Sequence, residues 1–184
     1  MTIISELHQD HVNLNKLLMI LRQKVVKLRE GQHPNFNLMA DVINYIANYA
    51  DGFHHPREDK LYEYLSSRDS LLDEKLQKCV EDHLTLKHAS LHLQEAIDGI
   101  LHDAVLPMQE FANLLEEYVL CQTEHLNFEE GEIFPLIEKL VSEAEMTKLE
   151  VQLPMPEDPL FGEKRAQEYM ELYRELILDL NDED

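Results

Sequence analysis

Three short breaks constrain this chain more than anything else in it. GQHP (31–34), SSRDS (66–70) and HDAVLP (102–107) divide the first 140 residues into four long runs, and each run repeats apolar residues at spacings of three and four. In residues 3–30 the stripe is Leu7, His11, Leu14, Leu18, Leu21 and Val25, ended by Gly31 and Pro34. In residues 37–65 it runs through Ile43, Ala47, Ala50, His54, Glu58, Leu61 and Leu65. The third run lines up Leu72, Leu76, Cys79, His83, Leu86, Ser90, Leu93, Ile97 and Ile100. The fourth lines up Phe111, Leu114, Tyr118, Cys121, His125, Phe128, Glu129, Ile133 and Leu136. Ser70 followed by Asp73 reads as a capping box opening the third run. Few glycines and many Leu, Glu, Lys and Ala favour helix. Four amphipathic helices with short turns predict an all-α fold, an antiparallel up-down-up-down four-helix bundle over residues 1–141. Residues 142–184 read as a helical extension that packs on the bundle or on a partner subunit. It comprises a short helix in SEAEMTKLEVQ, an extended linker in LPMPEDP, and an additional C-terminal helix at roughly 160–180 before the acidic tail NDED.

Composition narrows the function. A formal charge of −21 repels phosphate backbones and argues against nucleic-acid partners. No apolar run approaches the roughly 18–20 residues that cross a bilayer, and the N-terminus lacks the basic-then-apolar layout of a signal peptide, so a cytoplasmic protein without membrane contact is expected. Cys79 and Cys121 are not spaced as a zinc pair and read as buried thiols.

Histidines interrupt every stripe. In a helical hairpin, residues equally far from the turn share a height. The midpoints of His11 and His54, of His54 and His83, and of His83 and His125 fall inside the three breaks, so the four imidazoles share one layer. Glu58 and Glu129 lie four residues after His54 and His125, on the same faces. A lone histidine on an apolar face is usually a satisfied core residue. Four in one layer with two carboxylates are costly to bury unpaired, and a metal converts that cost into ligand bonds. His55, beside His54, continues a polar face through Asn48, Asp51 and Asp59. Pro56 removes a backbone hydrogen bond and should kink the helix, which could swing His55 inward as an additional ligand. His8 could lie behind His11; His33 and His102 sit in turns, and His92 reads as structural.

The donor set has too many ligands for a closed tetrahedral zinc site and too much nitrogen for calcium or magnesium. Iron or manganese suits it, with two carboxylates able to bridge two ions. The chain is also internally repetitive: DHVNLNKLL at 10–18 resembles DHLTLKHAS at 82–90, and each is followed 42 or 43 residues later by H-x-x-x-E.

HHPREDKLY and HLNFEEGEIFP, each with a histidine in the helix before it, resemble the hemerythrin-like (HHE cation-binding) family of bacterial type, over about residues 3–140. The resemblance implies a non-haem, oxo- or hydroxo-bridged di-iron centre of two iron ions, with His11, His54, His83 and His125 as terminal ligands and Glu58 and Glu129 as bridges. Oxygen-carrying hemerythrins have a further histidine one turn after the third-helix histidine, where this chain has Lys87. His88 is the next residue and His55 the other possible fifth nitrogen ligand. The expected function is to bind or sense a small diatomic ligand, dioxygen or nitric oxide. The alternatives are iron handling or di-iron redox enzymology (peroxide reduction, ferrous oxidation, iron-centre repair) and an interaction module with a vestigial site. Whether the chain is an enzyme, and its oligomeric state, stay open at this stage.

Overall fold

The structure is a computed structural model and describes residues 2–163 and 167–181. Every regular element among those residues is a helix, and no strand occurs among them. Helix α1 spans Ile3–Arg29 and α2 spans Phe36–Tyr49; a π-turn, Ala50–His54, joins α2 directly to α3, His55–Leu65. Helix α4 spans Ser70–Leu101 and α5 spans Met108–Phe128; a second π-turn, Glu129–Ile133, leads into α6, Phe134–Leu140. Helices α7 (Glu143–Gln152) and α8 (Met170–Asn181) follow, the latter behind a short 3-10 turn at Gln167–Tyr169.

The ends of the helices follow from local chemistry. Thr2 caps α1 by accepting from the Ser5 N–H. Gly31, at φ 74°, ends it: the Gln32 N–H reaches back to the Lys27 carbonyl across a left-handed residue. Helix α4 is capped differently from the expected Ser70 box. Asp69 is the cap, accepting from Leu71 and Leu72, and Asp73 instead accepts from the Ser67 N–H. A carboxylate one residue earlier offers a fully charged acceptor to the first free N–H groups, and it displaces the weaker hydroxyl. The box that does form is Ser142 with Glu145, at the start of α7.

Contacts between helices run in opposite senses. Arg29, at the end of α1, meets Gln109 and Glu116 early in α5, while His8 near the start of α1 meets Glu130 just past α5. Asn44 of α2 bonds Gln94 of α4, whereas His55 at the start of α3 stacks on His83, earlier in α4. Ser90 pairs with Tyr118, and Lys75 with Glu132.

Two apolar clusters fill the interior. One joins Leu14–Leu28 of α1 to α2, the later part of α4, and α5; the other joins Ile3, Ile4 and Leu7 to α3, the early part of α4, and α6. The polar residues of the candidate site lie between them. The segment after 141 adds to both clusters: Met146 and Leu149 of α7 to the second, Leu160 and Leu172 and Leu176 of α8 to the first. Tyr45 donates to Asp158 at 2.8 Å, and the Arg57 Nε donates to the Leu153 carbonyl at 2.7 Å. The last helix begins later than residue 160, because Asp158 folds the chain back on itself: it accepts from the N–H groups of Leu160 and Phe161. Residues 182–184 of the expected acidic tail lie outside the described residues.

No helix among the described residues is long and apolar enough to cross a membrane.

Candidate metal centre

The π-turns set the site. Successive residues of an α-helix are about 100° apart, so His54 and His55 cannot both face one line on a regular helix. In the first π-turn the His55 N–H bonds the carbonyl of Ala50, five residues back, and the added residue brings both imidazoles inward. Pro56 then stands in the first turn of α3, where its missing N–H leaves no partner wanting. The expected kink is therefore a π-turn. The second half repeats the device: the Phe134 N–H bonds the Glu129 carbonyl, and Pro135 opens α6.

Six residues picked out by spacing converge. His11, His54, His83, His125, Glu58 and Glu129 are all buried. Glu58 Oε1 lies 3.5 Å from His11 Nε2 and 3.3 Å from His54 Nε2, while its Oε2 lies 3.4 Å from His83 Nε2. Glu129 Oε2 lies 3.4 Å from His11 Nε2 and 3.3 Å from His125 Nε2, and its Oε1 lies 3.5 Å from His83 Nε2. Both carboxylates thus touch histidines from both halves of the repeat. His55 joins them, 2% exposed and stacked on His83 with ring centroids 4.3 Å apart. His88 does not. It is exposed on α4, as is Lys87.

Behind the imidazoles stands a set of carboxylates that spacing did not single out. Nδ1–H of His11 donates to Glu130 at 2.8 Å, of His54 to Asp10 at 3.0 Å, of His55 to Asp51 at 3.1 Å, and of His83 to Asp59 at 2.7 Å. For His125 the carboxylate is Asp82, at 3.8 Å, too long for a hydrogen bond. A carboxylate only accepts, so each bond places a proton on Nδ1 and leaves Nε2 aimed at the common centre. The signal was present in the sequence. Asp precedes His at 10–11 and at 82–83, and Asp51 precedes His55 by one helical turn. Tyr62 is a further neighbour, donating to Glu129 Oε1 at 2.6 Å. His8 lies behind His11 as a second, exposed donor to Glu130, and His92 is exposed on α4.

Electrostatics divides the histidines. Burial disfavours the charged form of His54, but Glu58 and Asp10 outweigh it and raise the group to about 10. At His83 burial is outweighed by Asp59, Glu129 and Glu58, and the group is raised to about 12. At His55 burial wins over Asp51, and the imidazole is lowered to about 4. Burial opposes ionisation of Glu58 too, yet His54 and its other imidazole neighbours hold it well below the usual carboxylate range.

The arrangement fits a metal. Glu58 Oε1 and Oε2, Glu129 Oε2, and Nε2 of His55, His83 and His125 are all buried without a hydrogen-bond partner. Buried polar atoms are nearly always satisfied, and a cluster of unsatisfied donor atoms around one point is what cations occupy. Among the described residues three groups each bring their ligand atoms within 4.8 Å of one another: His55, Glu58, His83 and His125; His11, His54 and Glu58; and Cys79, His125 and Glu129. The model of the hemerythrin HHE cation-binding domain matches residues 2–137. The chain belongs to that family. No curated protein matches it. As a member, it carries a metal-binding domain whose family typically binds iron, and the buried His/Glu groups lie within the matched residues.

Proposed function

We propose that residues 1–141 hold two iron ions and bind or sense a small diatomic ligand, dioxygen or nitric oxide. The observation that carries this reading is the division of each carboxylate between the two halves of the repeat, Glu58 through its two oxygens and Glu129 likewise. On this reading His11 and His54 would hold one ion and His55, His83 and His125 the other, with Glu58 and Glu129 shared between the two. Iron so held would supply one-electron redox chemistry and affinity for a small diatomic ligand. The chain's own residues do the rest. Glu130, Asp10, Asp51 and Asp59 fix the imidazoles and raise their basicity as donors. The Tyr62 hydroxyl holds Glu129 in place. The flanking apolar clusters keep bulk water from the centre. His55 takes the part that Lys87 cannot play.

Iron handling is the second reading. It is favoured by a cavity of about 150 Å³ between α4 and α5 that reaches His125 and is lined by Glu124 and by Asp82, the latter paired with Lys78, so that Glu124 offers a carboxylate to a cation in transit. The described residues after 141 serve as an extension packed on the bundle, which the buried Met146, Leu149, Leu160, Leu172 and Leu176 support, and two unpaired thiols support a cytoplasmic setting.

The test is anaerobic reconstitution with ferrous iron, metal analysis, and optical spectra before and after admitting dioxygen or nitric oxide. Two irons per chain and a reversible ligand-dependent band are expected. Fewer than one iron retained overturns the centre. Iron retained but released on oxidation transfers the assignment to iron handling.

A further inference from the structure

We infer that Cys79, His125 and Glu129 form a sulfur-containing position for a thiophilic divalent cation such as zinc or cobalt, overlapping the iron centre proposed above and competing with it for two side chains. Cys79 is fully buried on α4, one helical turn before His83. A ligand atom from each of Cys79, His125 and Glu129 lies within 4.8 Å of the other two. His125 Nε2 and Glu129 Oε2 are both buried without a hydrogen-bond partner, and their residues are 3% and 0% exposed. An ordinary core cysteine faces apolar neighbours on all sides. Cys79 does so only toward the second apolar cluster; toward the centre it faces a carboxylate and an imidazole.

One sulfur, one nitrogen and one oxygen are a sufficient protein donor set for a four-coordinate zinc with one position left to solvent. Bond lengths of about 2.0–2.3 Å place donors roughly 3.5 Å apart around such an ion, so modest side-chain rotations close the set. The iron centre prefers nitrogen and carboxylate donors, whereas a thiolate selects softer ions. In the metal-free chain, burial, then the negative charges of Glu129 and Glu58, push the thiol up, so the sulfur is protonated. Binding exchanges that proton for the cation: the S–H bond breaks, a metal–sulfur bond forms, the proton leaves to solvent, and nothing is oxidised or reduced. The cavity reaching His125, with Glu124, Cys121 and the Lys78–Asp82 pair along it, supplies a path from the surface. An ion bound here claims His125 and Glu129, so it excludes one iron. The position makes iron loading sensitive to thiophilic metals.

Cobalt alone is the probe. Metal-free protein is titrated anaerobically with Co²⁺, and absorption is followed in the near ultraviolet and visible. The chain has two cysteines, so in Cys121→Ser any thiolate-to-cobalt charge-transfer band comes from Cys79. That variant is expected to keep the intense near-ultraviolet band. Cys79→Ser is expected to lose it while retaining the weaker visible bands of nitrogen and oxygen ligation. No near-ultraviolet band in Cys121→Ser at saturating cobalt overturns the site, as does a band that survives Cys79→Ser. Iron retention, measured separately, distinguishes the two proposals. A cobalt–thiolate band without iron uptake supports this position and sinks the iron centre; iron uptake without that band overturns this position alone.

Discussion

The two H-x-x-x-E segments share a motif and differ in where the helix is interrupted. In the first, the π-turn precedes the motif and ends on His54, so the residue after it, His55, is rotated into the site. In the second, the π-turn follows the motif, beginning at Glu129, and the residue after it is Phe134, which stacks on His11 with centroids 5.2 Å apart. One interruption delivers a third imidazole to the His83–His125 side. The other delivers an apolar ring to the His11–His54 side. The repeat therefore sets a symmetric frame, and the position of one inserted residue makes the two sides of the site unequal.

Protons give the strongest test of that inequality. The His11–His54 side holds two imidazoles raised above their ordinary 6.5, His11 and His54, the latter to about 10; on the other side His83 is raised to about 12, while His55 is lowered to about 4. Raised histidines contribute stability that is fully present below 6.5 and lost as pH climbs through the raised values. The metal-free protein is therefore expected to lose thermal stability above neutrality. Metal uptake must remove the protons of these raised imidazoles, so affinity should rise with pH between 6 and 9, up to about tenfold per unit for each proton displaced. Calorimetry in buffers of different ionisation enthalpy counts the protons. A pH-independent affinity breaks the account.

The carboxylates come next. Glu58→Gln and Glu129→Gln should each lower iron affinity by at least about 100-fold, more than the loss typical of residues behind a ligand, because each touches both sides. Metal analysis after gel filtration reads the result. Loss of one ion only, with the other kept at full affinity, would show that a carboxylate serves a single side.

His55→Ala should then erase the asymmetry. The resting charge-transfer spectrum is expected to change and the oxidised centre to bind azide more tightly, while His88→Ala, at an exposed residue, leaves both unchanged. Equal behaviour of the two variants removes His55 from the site. Asp10→Asn and Asp51→Asn should cost about 10–100-fold in metal affinity, and Asp82→Asn less, since it stands 3.8 Å from its histidine.

The smallest effect compares the π-turns themselves. Each has glycine at its third position, Gly52 and Gly131, and an added Cβ meets nothing within 4 Å at either. Alanine at each should raise stability by about 0.4–1 kcal/mol through the unfolded chain. A loss at one alone would mark that turn as the one that must flex.

The sequence by itself determined the helices, their stripes, and the level at which His11, His54, His83 and His125 meet, because helical period and turn placement are local properties of the chain. It also placed Glu58 and Glu129 beside them, one turn along the same faces. It did not determine His55, since a π-turn moves a residue from one face to another without altering the apolar pattern on either side. Nor did it assign Asp59 to His83 or Glu130 to His11, which pair across different helices. The Cys121 thiol, expected inside, is only partly buried, whereas Cys79 on the same reasoning is enclosed beside Glu129. Periodicity gives a face about 100° wide. Which edge of that face is covered, and by which charge, depends on how neighbouring helices rotate against one another, and only the packed structure decides that.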